Sequence, residues 1–203
     1  MDQTKKDSRP LIVGITGASG SALAASLVDR LLGLSIPVAV VASSPARMVW
    51  QEEMEESFGD AIERWKDNPN FSSYSNSDLR APIASGTYPT RGMAIVPCSM
   101  ATLAAIVTGM TTNLVRRGAD VCLKERRPLI IVPRETPLTS VHLENMAKLA
   151  QLGAVVMPPE PAFYLHPKGI DDVVRFVTER ILVALRITEE LPKDLQYRPS
   201  ETG

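Results

Sequence analysis

The chain has 203 residues, 44% of them hydrophobic and only 5% aromatic, a composition that buries one aliphatic core and excludes a disordered protein. Lys plus Arg number 22 against 23 Asp plus Glu, a net charge of -1; no overall basic field exists to hold nucleic acid or an anionic membrane, so any anion is bound locally. Two cysteines, Cys98 and Cys122, make no disulfide framework, and no secretory leader or membrane-spanning run is legible, so the chain reads as cytoplasmic.

Residues 1–9 are polar and read as a short frayed leader. Leu11 to Ile15 is an apolar run without helical periodicity, and Ser21 to Leu32 repeats Leu23, Leu27 and Leu31 at helical spacing. Strand, glycine turn and helix follow, with Gly33 as the C-cap, and Ile36 to Val41 supplies a second strand apolar on both faces. Two such strands joined by a helix make a right-handed βαβ unit. Pro45 to Trp65 reads as helical, with Glu52, Glu53, Glu55 and Glu56 as a solvated face, and Asp67 to Gly92 as a long irregular excursion rich in Ser, Asn, Pro and Gly.

Met93 to Pro97 resumes as a buried strand. Ser99 caps a helix over Met100 to Val107 that Gly109 ends, and Asn113 or Thr112 opens another to about Arg126. Pro128 to Pro133 is the fourth strand; Thr139 or Ser140 caps a helix ended by Gly153; Ala154 to Met157 is the fifth. After a turn at Pro158, Pro159 and Pro161, a last helix begins near Asp171, and the tail from Thr188 to Gly203 is expected to order only against a neighbouring subunit. There is no internal repeat and no domain boundary. The pattern is one α/β domain over 1–203, a three-layer αβα doubly wound parallel sheet of Rossmann-like or flavodoxin-like type.

In such a sheet the ligand lies outside the carboxyl ends of the strands. Thr16-Gly17-Ala18-Ser19-Gly20 follows the first strand, and a glycine turn opening a helix offers free amides and a positive dipole end to a phosphate; the other reading is a tight turn needed only for packing. The second strand ends in Ser43 and Ser44, where a nicotinamide-binding fold places an acidic residue for the ribose, so a mononucleotide such as FMN suits these tips better. Arg134-Glu135 stands at the end of the fourth strand, where an arginine clamps phosphate and a glutamate trades protons with it. Lys124 to Arg127, taken alone, reads as a solvated helix end, and Cys98 as a small buried thiol without a partner base. Two histidines and two cysteines are too few and scattered for a zinc site, so no metal is expected.

Read together, GITGASG, IVPCSM, LKERRPLIIVPRETPLTSVHLENM, GAVVMPPEPAFY and VTERIL resemble the UbiX/Pad family of flavin prenyltransferases over roughly residues 10–187. The resemblance implies a dodecamer with active sites at subunit contacts. It implies joining a dimethylallyl group from dimethylallyl monophosphate to N5 and C6 of reduced FMN, the product serving a UbiD-type decarboxylase. By matching positions it implies FMN contacts at Gly17, Ala18, Ser19, Ser43, Ser99, Met100, Ala101, Thr102 and Arg134. Prenyl-phosphate contacts fall at Arg117, Lys124, Tyr164 and Arg180, with Glu135 as proton donor to the departing phosphate and Glu53 near the reacting flavin. Arg117 and Lys124, seven residues apart, share one helix face.

Where relatives place a tryptophan just before A-P-x-A-S-G, this chain has Leu79 and Arg80; Trp50, Tyr88 and Tyr197 are the aromatic candidates left. Two further functions compatible with the fold are oxidative decarboxylation of a peptidyl or pantothenoyl cysteine, with His142 or His166 as base, and an FMN carrier without catalysis.

Overall fold

The computed structural model describes residues 7–198. Its sheet is six-stranded and wholly parallel, in the order β3-β2-β1-β4-β5-β6. The strands are β1 (Leu11–Ile15), β2 (Val38–Ala42), β3 (Phe71–Ser75), β4 (Gly92–Cys98), β5 (Leu129–Pro133) and β6 (Val155–Val156). The helices are α1 (Ser21–Gly33), α2 (Ser44–Glu53), α3 (Phe58–Lys66), α4 (Met100–Val107), α5 (Leu114–Lys124), α6 (Ser140–Gln151) and α7 (Ile170–Ala184).

Alternate strand residues feed two cores. Leu11, Val13, Val38, Val40, Ala94 and Ile130 pack under α1, α2, α3 and α7, whereas Ile12, Ala39, Met93, Ile95 and Ile131 pack under α4, α5 and α6. A strand covered on both faces has no polar side, which is why β1, β2, β4 and β5 are apolar throughout. The chain winds outward from β1 to β3 and then from β4 to β6, so strand order reverses between β1 and β4, where a crevice opens beyond their carboxyl ends.

Four sequence expectations are corrected. The span from Pro45 to Trp65 is two helices, because Met54 is extended and the Ser57 hydroxyl accepts the Asp60 amide to cap α3. The irregular excursion contains β3, whose FSSYS sequence pairs with β2 through its backbone. Gly33 stays helical, and Ser35 takes the left-handed φ of 55° that closes α1. The tail orders against its own chain as far as Arg198: Leu195 is buried, and Arg175 holds Asp194 at 2.6 and 3.2 Å.

At the other end, Asp7 and Arg9 form an ion pair at 2.7 Å, so residues 7–9 of the expected frayed leader are ordered, while residues 1–6 and the tail beyond Arg198 lie outside the described residues. Hydrogen bonding from Arg9 holds the Asp7 carboxyl down at about 2 against the opposing effect of burial. No described helix is long and apolar enough to cross a membrane.

Candidate functional site

The crevice is built from the ends of four strands. The Thr16 hydroxyl donates to the Pro97 carbonyl at 3.0 Å and accepts the Ser99 amide at 2.7 Å, locking the turn after β1 to the turn after β4. The Ser43 amide donates to Ile15 O at 3.0 Å, and the Arg134 amide to Cys98 O at 3.3 Å. Gly17-Ala18-Ser19, Ser43, the Ser99–Thr102 turn and Arg134 are therefore brought to one edge.

Gly17 has its own structural reason: a Cβ there would overlap the Pro45 ring at the start of α2. Ser43 caps α2 by accepting the Ala46 amide at 3.2 Å, and Ser99 caps α4 by accepting the Thr102 amide at 3.3 Å. Both helix amino ends open on the crevice, adding positive potential there. Nε of Arg134 is buried without a partner among the described residues, and a donor left unsatisfied in this way on a half-buried guanidinium suits an anion that completes it.

The head of α1 is not open. Glu53 Oε2 accepts the amides of Gly20 at 2.9 Å and Ser21 at 2.8 Å, so a carboxylate from the last residue of α2 already occupies the dipole that the glycine turn was expected to offer to phosphate. Burial alone would raise the Glu53 pKa; hydrogen bonds from Ser19, Ser21 and Gly20 outweigh it and hold the group below its ordinary value. The link between Glu53 and residues 20–21 spans more than thirty positions, and no local pattern signals it.

Glu135 is exposed just beyond β5, with Oε1 accepting the Thr136 amide at 3.0 Å. Arg117 donates to Ala84 O at 2.9 Å and to Asp120 at 2.7 Å, while Lys124 pairs with Glu125 and lies against Gly86. Both face the 84–86 loop, as their shared helix face required. α5 runs antiparallel to the strands: its first amide meets Asn76 just past β3, and its end leads to Pro128, whose carbonyl accepts the Met93 amide at the start of β4. Lys124 therefore lies at the amino edge of the sheet, opposite Arg134, and one chain does not bring the two together.

Tyr164 sits in a short turn of 3₁₀ helix, Phe163–Leu165, after β6, and Arg180 is exposed on α7. Neither forms a hydrogen bond to the carboxyl-edge cluster among the described residues.

Trp50 is fully buried, its Nε1 donating to Glu56 O at 3.0 Å and its ring edge-on to Phe58 and Trp65, so it is core and no substitute for the tryptophan absent at Leu79. Tyr88 packs on the second core, leaving Tyr197 as the accessible aromatic of the three. Burial lifts the Cys98 thiol to about 12, well outside nucleophile range. His142 is spent on a capping box, its Nδ1 accepting the Thr139 amide at 3.3 Å, and His166 is a left-handed residue of an exposed turn.

The sequence profile of the family described as Flavoprotein matches residues 1–182. A "Flavin prenyltransferase UbiX" from Methanocaldococcus jannaschii is 44% identical over 185 residues, covering 90% of this chain and 96% of that protein. This chain belongs to the flavoprotein family and, within it, to the UbiX flavin prenyltransferases. Among solved structures of the family, AnUbiX (PadA1), in complex with FMN and dimethylallyl pyrophosphate, superposes with a TM-score of 0.86 at 35% identity, covering 95% of this chain and 98% of that one. A dodecameric FMN-dependent UbiX-like decarboxylase from Escherichia coli O157:H7 gives 0.85 at 40% identity, covering 94% and 100%.

Proposed function

We propose that the protein is a flavin prenyltransferase that joins a dimethylallyl group from dimethylallyl monophosphate to N5 and C6 of reduced FMN, making prenylated FMN for a UbiD-type decarboxylase. The near-full-length likeness to relatives of that name carries the reading, and the crevice fits the cofactor. Reduced FMN, when bound, supplies the electron-rich atoms that receive the dimethylallyl group.

The chain's own residues divide the remaining work. The amino ends of α2 and α4, capped by Ser43 and Ser99, receive the flavin phosphate together with Arg134 and the backbone of Met100, Ala101 and Thr102. Gly17, Ala18 and Ser19 line the approach without spending the α1 dipole on it, since Glu53 holds that position and keeps a carboxylate beside the reacting part of the site.

Ionising an allylic phosphate needs cations and an acid around the leaving group. Arg117, Lys124, Tyr164 and Arg180 hold that phosphate, and Glu135 protonates it from the mobile side of its carboxyl, the other oxygen being anchored on the Thr136 amide. Because Lys124 and Arg134 occupy opposite edges of one sheet, Lys124 reaches the crevice from a neighbouring copy, in keeping with a dodecamer of the kind described for the Escherichia coli structure.

The test is release of inorganic phosphate from dimethylallyl monophosphate. Release that requires reduced FMN, and that slows in Glu135→Gln while FMN stays bound, supports the assignment. Release indifferent to flavin reduction argues against transfer to the flavin.

A further inference from the structure

α5 ends in a turn that directs the following arginine back across the chain. Arg126 takes a left-handed φ of 54°, its amide donating to Leu123 O at 3.2 Å, and the Arg127 amide donates to Cys122 O at 2.8 Å, the paired bonds of a Schellman end. From there the half-buried Arg127 reaches the loop that precedes β4. Its Nη1 donates to Tyr88 O at 2.9 Å and to the Thr90 hydroxyl at 3.0 Å, and its Nη2 to Gly86 O at 2.6 Å. An arginine that only complemented the helix dipole would aim its cation at the last α5 carbonyls. This one is spent on three oxygens of a single loop, for which a planar fork of donors is suited and a lysine is not.

Gly86 is where this loop meets the end of α5. Its carbonyl is held by Arg127, while a Cβ at that position would run into Lys124 Nζ and the Glu125 carboxylate. Glycine is needed there for close approach. Lys124 and Glu125 pair over it; the hydrogen bond and charge of Lys124, with a smaller contribution from the charge of Arg127, hold the Glu125 carboxyl below its ordinary value. Arg117 secures the other end of the loop, its Nε donating to Ala84 O at 2.9 Å. A lysine carries a flexible stem whose freedom must be given up to present its ammonium in one place. The surface against which Lys124 rests is thus a glycine backbone fixed on either side by a guanidinium.

We propose that Arg127 is a positioning residue for the transfer reaction: by clamping the loop over residues 86–90 it holds Lys124 against Gly86, in the orientation in which that lysine meets the prenyl phosphate. The inference rests on the transferase reading and deepens it, since it assigns the order of the lysine to an arginine that touches neither substrate nor flavin. Arg127 acts through Lys124, and its effect exists only while the lysine is present.

The experiment uses the assembled full chain loaded with oxidised FMN, and follows dimethylallyl monophosphate binding by calorimetry. Arg127→Ala is expected to raise the Kd for dimethylallyl monophosphate roughly tenfold with the FMN Kd unmoved, and free guanidinium ion, which refills the vacated place, should restore part of the affinity. Thr90→Val removes one of the three acceptors at constant shape and should give a smaller loss of the same kind; it decides the matter if Arg127→Ala does not fold. In a Lys124→Ala background, either change should leave the Kd where Lys124→Ala alone sets it, because the group being positioned is gone. Wild-type affinity in Arg127→Ala overturns the clamp. An equal loss with and without Lys124 overturns its action through the lysine, and loss of FMN together with dimethylallyl monophosphate makes Arg127 a support of the fold alone. Wild-type protein that binds FMN but no dimethylallyl monophosphate overturns the transferase reading itself, and the positioning role with it.

Discussion

The Glu53 carboxylate and the Ser21 amide meet at 2.8 Å, so the first turn of α1 is capped by a side chain from the end of α2. The pair ties the glycine turn to the second helix and sets a fixed negative charge at the site's edge. Since the folded-state pKa of Glu53 lies below its ordinary value of 4.5, the group's contribution to stability is fully present above that value and is lost as pH falls through the folded-state pKa. Denaturation of Glu53→Gln should therefore show lower stability than wild type at neutral pH, with the gap narrowing below about pH 4.5. A gap that is constant down to acid pH would mean that the carboxylate's charge plays no part.

Gly17 separates packing from binding. Ala at that position must displace Pro45, an overpacking that typically costs about 1–3 kcal/mol. Because Pro45 follows Ser44 directly behind the Ser43 cap, the same shift disturbs the amino end of α2. Gly17→Ala should lower Tm and weaken FMN together, measured by thermal melts with and without flavin. Loss of Tm with full FMN affinity would leave Gly17 a packing residue only.

Arg134 behaves differently. Its Nε is buried without a partner among the described residues, so its removal should cost the ligand-free protein little stability. Loss of a charge-assisted bond of about 1.5–3 kcal/mol predicts an FMN Kd raised roughly tenfold to a hundredfold in Arg134→Ala, read by flavin fluorescence titration. An unchanged Kd would remove Arg134 from the phosphate site.

The opposite placement of Arg134 and Lys124 across the sheet makes a further prediction about assembly. Arg134→Ala, assayed at an FMN concentration below its raised Kd, and Lys124→Ala, each with little activity alone, should regain a fraction of wild-type activity when dissociated and reassembled together, because some sites then combine an intact carboxyl edge with an intact lysine. Mixed assemblies with no activity would indicate that both residues act within one chain.

Much of this was legible in the sequence, for a physical reason. Parallel strands covered on both faces, such as Leu11–Ile15 and Leu129–Pro133, are apolar at every position and stand out from helices by length and periodicity alone. The helix caps at Ser99, Asn113 and Thr139 carry short-range signals. By contrast β3 is an edge strand with one neighbour; its hydroxyl-rich FSSYS lacks the apolar run that marks a buried strand, and its pairing with β2 is a backbone matter. The break between α2 and α3 did leave a trace, in Ser57 followed three residues later by Asp60.

The site was legible as a set of residue types at strand ends, but not in its wiring. That Glu53 would take the α1 amides depends on where α2 ends in space, and that Tyr197 would meet Tyr164 depends on Arg175 and Asp194, nineteen residues apart. Neither contact falls within a spacing that helical or strand periodicity connects.

The central claim, that the flavin itself is the acceptor, is tested most directly by the mass of the flavin recovered after anaerobic incubation of the protein with reduced FMN and dimethylallyl monophosphate. The account predicts a flavin heavier by one C5 unit, formed in amounts that fall in Glu135→Gln. Recovery of unmodified FMN alone, from protein that had bound both compounds, would contradict it.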